Sequence, residues 1–245
     1  MNKRLFTVLI ALMCFASLPL FAEKIAFTAG NMSGQAGDSS ATTTLSGGAF
    51  IQTTSIEISA DEIELSGDDY RIIKAKGNIS GKNLETKMEF TCDQMSYDRE
   101  TKVALLEGNV HLVDLDNDVK ADAQIIEYNQ NTNIAVLQIG INLTQKDNVC
   151  TGSYAVYQKN EQMLELSGNA QVKQKEDVFR AQQITLNLDT QSITLSGNVK
   201  GSVTESPKEE TKVEKVEDAA PEEEAALEEE AALQDATLNK AGEEE

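Results

Sequence analysis

Leu106-Glu107-Gly108-Asn109-Val110 is the stretch whose reading decides the fold, because it recurs. It returns as Leu166-Ser167-Gly168-Asn169-Ala170 and as Leu195-Ser196-Gly197-Asn198-Val199. Looser copies are Leu45-Ser46-Gly47-Gly48-Ala49 and Ala75-Lys76-Gly77-Asn78-Ile79. Ahead of each copy lies a second recurring stretch, with forms such as Ala60-Asp61-Glu62-Ile63-Glu64-Leu65 and Ala123-Gln124-Ile125-Ile126-Glu127-Tyr128. Its first small residue falls at Ala29, Ala60, Cys92, Ala123, Gly152 and Ala181, in steps of 31, 32, 31, 29 and 29 residues. A fixed period of this size marks an array of stacked units, here about six.

Working outward from the glycine, the period is two. Ala104, Leu106, Gly108, Val110 and Leu112 share a face, as do Leu164, Leu166, Gly168, Ala170 and Val172. Ile193, Leu195, Gly197 and Val199 repeat the pattern in the last unit. The fourth unit lacks the glycine at this phase, and Leu137, Ile139, Ile141 and Leu143 are expected to keep the face. Alternation with a polar opposite side describes strands buried on one side. The second stretch alternates, slips by one residue, and alternates again. Ile56-Ile58-Ala60 gives way to Ile63-Leu65, Met88-Phe90-Cys92 to Met95-Tyr97, and Val119-Ala121-Ala123 to Ile126-Tyr128. Ile25-Phe27-Ala29 followed by Met32 extends this to the first unit. A slip at one place per unit is what a β-bulge supplies, and it predicts a corner where each strand bends from one sheet to another.

Short polar connectors such as Asp98-Arg99-Glu100-Thr101 and Asn129-Gln130-Asn131-Thr132 suit antiparallel hairpins, with no room for crossover helices. The Gly/Ser/Thr-rich stretch from Gly30 to Thr44 is expected to be a loop. The fold class expected is all-β.

The chain carries 21 basic and 41 acidic residues, a net charge of −20. It lacks the basic footprint that phosphate backbones require, which argues against nucleic acid as a partner. Asn2-Lys3-Arg4 followed by an apolar run to Leu18, with Pro19 and Ala22 after it, reads as an export signal over 1–22, cleaved before Glu23. The alternative is an uncleaved anchor helix. The repeat domain spans 23–204. An acidic low-complexity tail follows over 205–245, with Glu222 to Leu227 copied as Glu228 to Leu233, and is expected to be disordered or partly helical.

No nucleophile elbow, phosphate loop or Cys-pair zinc spacing is present, so the chain is not expected to be an enzyme or to carry a cofactor or metal. His111, the single histidine, falls on the polar face. Asp114, Asp116 and Asp118 resemble the start of a calcium loop, but Val119 and Ile125 stand where its glycine and final glutamate belong, so a turn is expected. Cys92 and Cys150 fall on the apolar phase two units apart, roughly 20 Å at ~4.8 Å per strand, too far for a disulfide. Both are expected to be buried free thiols.

Apolar inner residues either fill a packed core or line a lipid groove, and composition alone favours the core. With Ala-Asp-x-Ile-x-Leu, a polar turn and Leu-x-Gly-Asn-Val repeated behind a signal peptide, residues 25–203 resemble the OstA-like, LptA-type family of lipopolysaccharide-transport periplasmic proteins. The resemblance implies an open β-jellyroll of repeated antiparallel bent strands. It implies a periplasmic bridge, assembled by head-to-tail self-association, from an inner-membrane transporter complex to an outer-membrane translocon. Lipopolysaccharide or a similar glycolipid would ride in the groove. The candidates for that groove are Ile56, Ile58, Ile63, Met88, Phe90, Met95, Leu106, Val110, Leu112, Ile126, Leu137, Ile139, Leu164, Leu166, Ile184 and Leu195. The alternatives are a polymerising structural β-repeat scaffold of the cell envelope and the membrane-anchored LptC-type partner. A polysaccharide-binding or hydrolytic β-helix is disfavoured by 5% aromatics and no Trp.

Overall fold

The computed structural model describes residues 24–34 and 42–204. The expected signal peptide and acidic tail lie outside them. The described residues form a 14-stranded antiparallel sheet. The strands are β1 (Ala26–Thr28), β2 (Asn31–Ser33), β3 (Thr43–Gln52), β4 (Ile56–Ser66), β5 (Ile72–Asn83), β6 (Met88–Asp98) and β7 (Val103–Asp114). They continue with β8 (Val119–Asn129), β9 (Ile134–Gln145), β10 (Asn148–Gln158), β11 (Met163–Gln174), β12 (Asp177–Asn187), β13 (Ile193–Ser196) and β14 (Lys200–Ser202). From β3 to β13 each strand pairs with the next, so neighbours in sequence are neighbours in space. β1 and β2 both pair with β3, and β14 pairs with β12.

The short connectors hold their shape by a repeated device. Asp98 Oδ1 accepts from the N–H groups of Glu100 and Thr101 at 2.9 and 3.2 Å. Asn83, Asn129 and Asn187 do the same for the residues two and three places on. A short amide or carboxylate that mimics a backbone acceptor closes a tight turn without help from the rest of the chain. Part of the expected Gly30–Thr44 loop is strand instead. Asn31–Ser33 pairs with Thr44–Ser46.

The predicted corner is present, and it is a crease within one continuous sheet. Register shifts fall at the same level in strand after strand: Ser59/Glu62, Thr91/Gln94, Asp122/Ile125 and Thr151/Tyr154. On the partner strands the crease is made by the Gly-Asn pair. Gly108 and Asn109 have φ of 76° and 45°, and Gly77-Asn78, Gly168-Asn169 and Gly197-Asn198 repeat this. Two successive left-handed residues need glycine and then a residue that tolerates that region, as asparagine does. Space demands the glycine too. A Cβ on Gly108 would sit 2.6 Å from Asp93 Oδ2, the same carboxylate that receives Asn109 Nδ2 at 2.8 Å.

How far the sheet folds at the crease follows from one hydrogen bond. Val113, at the end of β7, is level through the register with Val149 in β10. Tyr157 lies eight residues beyond Val149. In a flat sheet the neighbours Asp114 and Tyr157 would be about 30 Å apart, given ~3.3 Å per residue and ~4.8 Å per strand. Tyr157 Oη nevertheless donates to Asp114 Oδ2 at 2.7 Å. The sheet is doubled over along the crease, and its two halves face one another across an apolar interior.

Candidate functional site

The interior is the candidate site. An alanine or cysteine stands in each pair at the crease, where the halves converge: Ala49 opposite Ala60, Ile79 opposite Cys92, Val110 opposite Ala123 and Ala170 opposite Ala181. Larger side chains fill the space further out. Ile56, Ile58, Ile63, Met88, Phe90, Met95, Leu106, Val110, Leu112, Ile126, Leu137, Leu164, Leu166 and Ile184 are all buried in one continuous cluster. Leu195 is half-buried against its edge. The fold therefore brings together the inward residues of both halves, as the alternation required.

Ile139 is the exception and corrects the expectation. It occupies the position of Gly108, takes φ 65°, and is 56% exposed on the outside of the crease. Gly140 follows it at φ 67°. The two left-handed residues turn Ile139 outward locally, and the face resumes beyond them with Ile141 and Leu143 buried in phase with Leu137. The end units also depart from the expected face. Phe27 and Met32 in β1 and β2, and Val199 beside β14, are exposed, because the terminal strands are short and lack a full neighbour to cover them.

The interior is tightly filled. Between Met88, Phe90 and Leu112 of one half and Tyr97, Leu106 and Tyr128 of the other remains a cavity of about 20 Å³. That is roughly enough for one water molecule. Cys92 and Cys150 are buried free thiols, as expected, and burial pushes each thiol up to about 12. His111 Nδ1 lies 2.7 Å from Asp122 Oδ1 on the outer face.

Sequence reasoning missed what closes the side of the doubled sheet away from the crease. The turns of one half meet the turns of the other along a polar seam. At its middle, Asp114 is buried and accepts from Tyr157 Oη, from Asn117 Nδ2 at 2.8 Å and from Lys159 Nζ. Lys159 is itself buried and also reaches Asp116 at 3.1 Å. Burial, and then the Asp114 carboxylate that its proton serves, push the Tyr157 hydroxyl well above the ordinary phenol range. Further along the seam, Gln191 Oε1 accepts from Asn148 at 2.6 Å and Gln174 at 3.2 Å. Towards the N-terminal end, Gln130 Nε2 donates to Glu85 and its Oε1 accepts from Tyr97 Oη at 3.2 Å. The pairs Glu85–Gln130, Asp114–Lys159 and Asn148–Gln191 join residues 45, 45 and 43 apart in sequence, about a step and a half of the repeat, in turns or at the strand ends beside them. The one signal in the sequence is the aspartate triplet around Asp114, where a turn is expected.

Among the described residues no group of His, Cys, Asp and Glu is placed to hold a metal, and no helix is long and apolar enough to cross a membrane. The arrangement offers an apolar interior bounded by hydrogen bonds rather than by covalent or continuous backbone closure. What such an interior does is exclude water.

The fold and its interior define an open β-jellyroll, an antiparallel sheet doubled over and not closed into a barrel. Residues 89–192 match the family described as "LptA/(LptD N-terminal domain) LPS transport protein". Over these residues the chain is similar to that family. Among solved structures, the chain is similar to LptH, the LptA-homologous periplasmic component of the lipopolysaccharide transport device of Pseudomonas aeruginosa. That match has 15% identity and a TM-score of 0.46, over 49% of this chain and 97% of that one. No curated protein matches the sequence.

Proposed function

We propose that the chain is a periplasmic carrier of lipopolysaccharide or a related glycolipid. It forms one segment of a bridge between an inner-membrane transporter complex and an outer-membrane translocon, with the acyl chains between the two halves of the sheet. The observation that carries this reading is the apolar interior, continuous from Leu45 in β3 to Leu188 after β12, in a sheet that ends in unpaired strands. Each exposed CH₂ costs about 0.8 kcal/mol, so a twelve-carbon chain left in water costs roughly 9 kcal/mol, and an apolar path removes that cost. Between Phe90 and Leu106 the path must widen to serve, since the cavity there is about 20 Å³, and the hydrogen-bonded seam is the part that can part without breaking a strand. Among the described residues the sheet has an unpaired edge at each end, and with Phe27, Met32 and Val199 exposed beside them these edges suit head-to-tail addition of further copies or partner domains.

A photo-crosslinking amino acid at position 106, 137 or 166, against controls at 107 and 165, tests the path. Labelling by lipopolysaccharide at the inner positions alone supports it. Labelling on neither face would remove it. One specific observation favours a second reading: the packed interior is also what a polymerising envelope scaffold would have. That reading predicts concentration-dependent polymers in sedimentation and no lipid labelling.

A further inference from the structure

The outer face of the crease changes character along the array. In β4 and β6 the residue at the crease is an aspartate, and the asparagine of the next strand donates to it. Asn78 Nδ2 reaches Asp61 and Asn109 Nδ2 reaches Asp93, each at 2.8 Å. At the same step of the repeat β8, β10 and β12 carry Gln124, Ser153 and Gln182, so the crease carboxylate is lost towards the C-terminal end. The residues just before the crease change as well. β4 and β5 pair Ser59 with Ser80, β8 and β9 pair Asp122 with Asn142, and β12 and β14 pair Arg180 with Lys200.

The last of these sets two cations directly opposite one another, an arrangement that destabilises an antiparallel pair. Earlier in the sheet, outer-face cations face carboxylates, Lys76 with Glu62 and Lys82 with Glu89, both at 2.8 Å. On the outer face of β11, β12 and β14 the neighbours of Arg180 and Lys200 are Gln171, Lys173, Val178 and Ser202, with no carboxylate among them. The chain has 41 acidic and 21 basic residues, so an acid was the commoner choice for these positions. A local rule broken without compensation in an otherwise consistent sheet is a mark of function.

The two cations line an open groove of about 610 Å³ together with Asn169, Gln171, Gln182 and Asn198. Gln171 Oε1 accepts from Arg180 Nε at 2.7 Å, which fixes the plane of the guanidinium and leaves its Nη groups for a ligand. Asn169 and Asn198 are held at the crease by φ of 59° and 52°. A guanidinium beside an ammonium matches a phosphate group, and amides offer both donors and acceptors to hydroxyl groups. Ala170 and Ala181, in the same two strands, are buried on the opposite face, so the sheet stands between this groove and the apolar interior.

We infer that the groove is a binding site for a phosphate group carried on a sugar. Arg180 and Lys200 share the phosphate, and Asn169, Gln182 and Asn198 take the hydroxyls around it. The site lies outside the interior and its ligand needs no acyl chain, so it stands independently of the carrier reading.

The test is titration calorimetry on the full chain at low ionic strength, where exposed charges are least screened. The probes are glucose 1-phosphate, glucose, inorganic phosphate and phosphatidylglycerol vesicles. The variants are Arg180→Gln and Lys200→Gln, with Lys82→Gln as the same change of charge on the outer face of β5, and each is checked for its β-sheet circular dichroism. Glucose 1-phosphate is expected to bind and glucose is not. Arg180→Gln and Lys200→Gln should each weaken binding by about tenfold, the loss of one hydrogen bond to a charged group, while Lys82→Gln leaves it unchanged. No binding to the full chain, or equal weakening by all three variants, overturns the site. Inorganic phosphate bound as tightly as the sugar phosphate overturns the role of the amides. Vesicles bound without any soluble ligand would make this a patch facing an anionic membrane and overturn the groove.

Discussion

Tyr157 donates its hydroxyl to Asp114 at 2.7 Å across a seam that joins the end of β7 to the end of β10. With Lys159 it makes Asp114 part of a buried, charge-assisted cluster, and this cluster sets the first prediction. Lys159→Ala removes the cation from a buried carboxylate, and breaking one side of such a pair costs about 3–5 kcal/mol. Asp116, which Lys159 also reaches, is a second carboxylate and supplies no replacement cation. Urea denaturation is expected to show a fall in midpoint near that size with an unchanged slope. A shift below about 1 kcal/mol, the value typical of surface pairs, would mean the cluster is solvated and not a clasp.

Ile139 sets the second. A β-branched residue at φ 65° carries strain of about 1–2 kcal/mol, whereas glycine's greater backbone freedom costs about 0.5–1 kcal/mol when ordered. Ile139→Gly should therefore stabilise the domain by up to about 1 kcal/mol. Gly108→Ile, the reverse change at the equivalent position, should destabilise it strongly, since its Cβ would crowd Asp93. Paired thermal melts of the two variants check this, and equal effects of one sign would contradict the crease geometry.

The thiols set the third. Burial pushes Cys92 and Cys150 up to about 12 from an ordinary value of 9.0. A raised value means the folded state keeps its protons where the unfolded chain releases them. The stabilisation is full below about pH 9 and is lost as pH rises towards 12. Both thiols should resist a thiol reagent at neutral pH in the folded protein, and both should react after unfolding without reductant. Replacing both with Ala should flatten the decline in stability above pH 9, as read from urea midpoints across that range.

A fourth prediction separates inside from outside. Leu106→Asn and Leu166→Asn place an amide among fully apolar neighbours and should each cost several kcal/mol, about 2–5 for the lost packing alone. Glu107→Gln and Glu165→Gln, on the outer face, should stay within about 0.5 kcal/mol. Chemical denaturation of the four variants decides it. Tolerance of asparagine at 106 would show an interior that already admits water.

The sequence by itself determined the strand, the repeat and the slip. Side chains alternate with a period of two and an inserted residue flips the face, so Ile56-Ile58-Ala60 followed by Ile63-Leu65 could only be read as a bent strand buried on one side. It also determined that Cys92 and Cys150 stay apart, because strand spacing is fixed. Sequence proximity could not decide which turns meet. Asp114 and Lys159 are 45 residues apart in stretches that each look like a solvated connector, and only the angle of the crease, summed over three strands, brings them together. Nor could phase alone place Ile139. Its exposure depends on the left-handed backbone at the crease, and glycine announces that conformation where isoleucine conceals it. Local periodicity is written residue by residue. The closure of the interior is a property of the doubled sheet, and it was the tertiary structure that turned polar loops into a buried clasp.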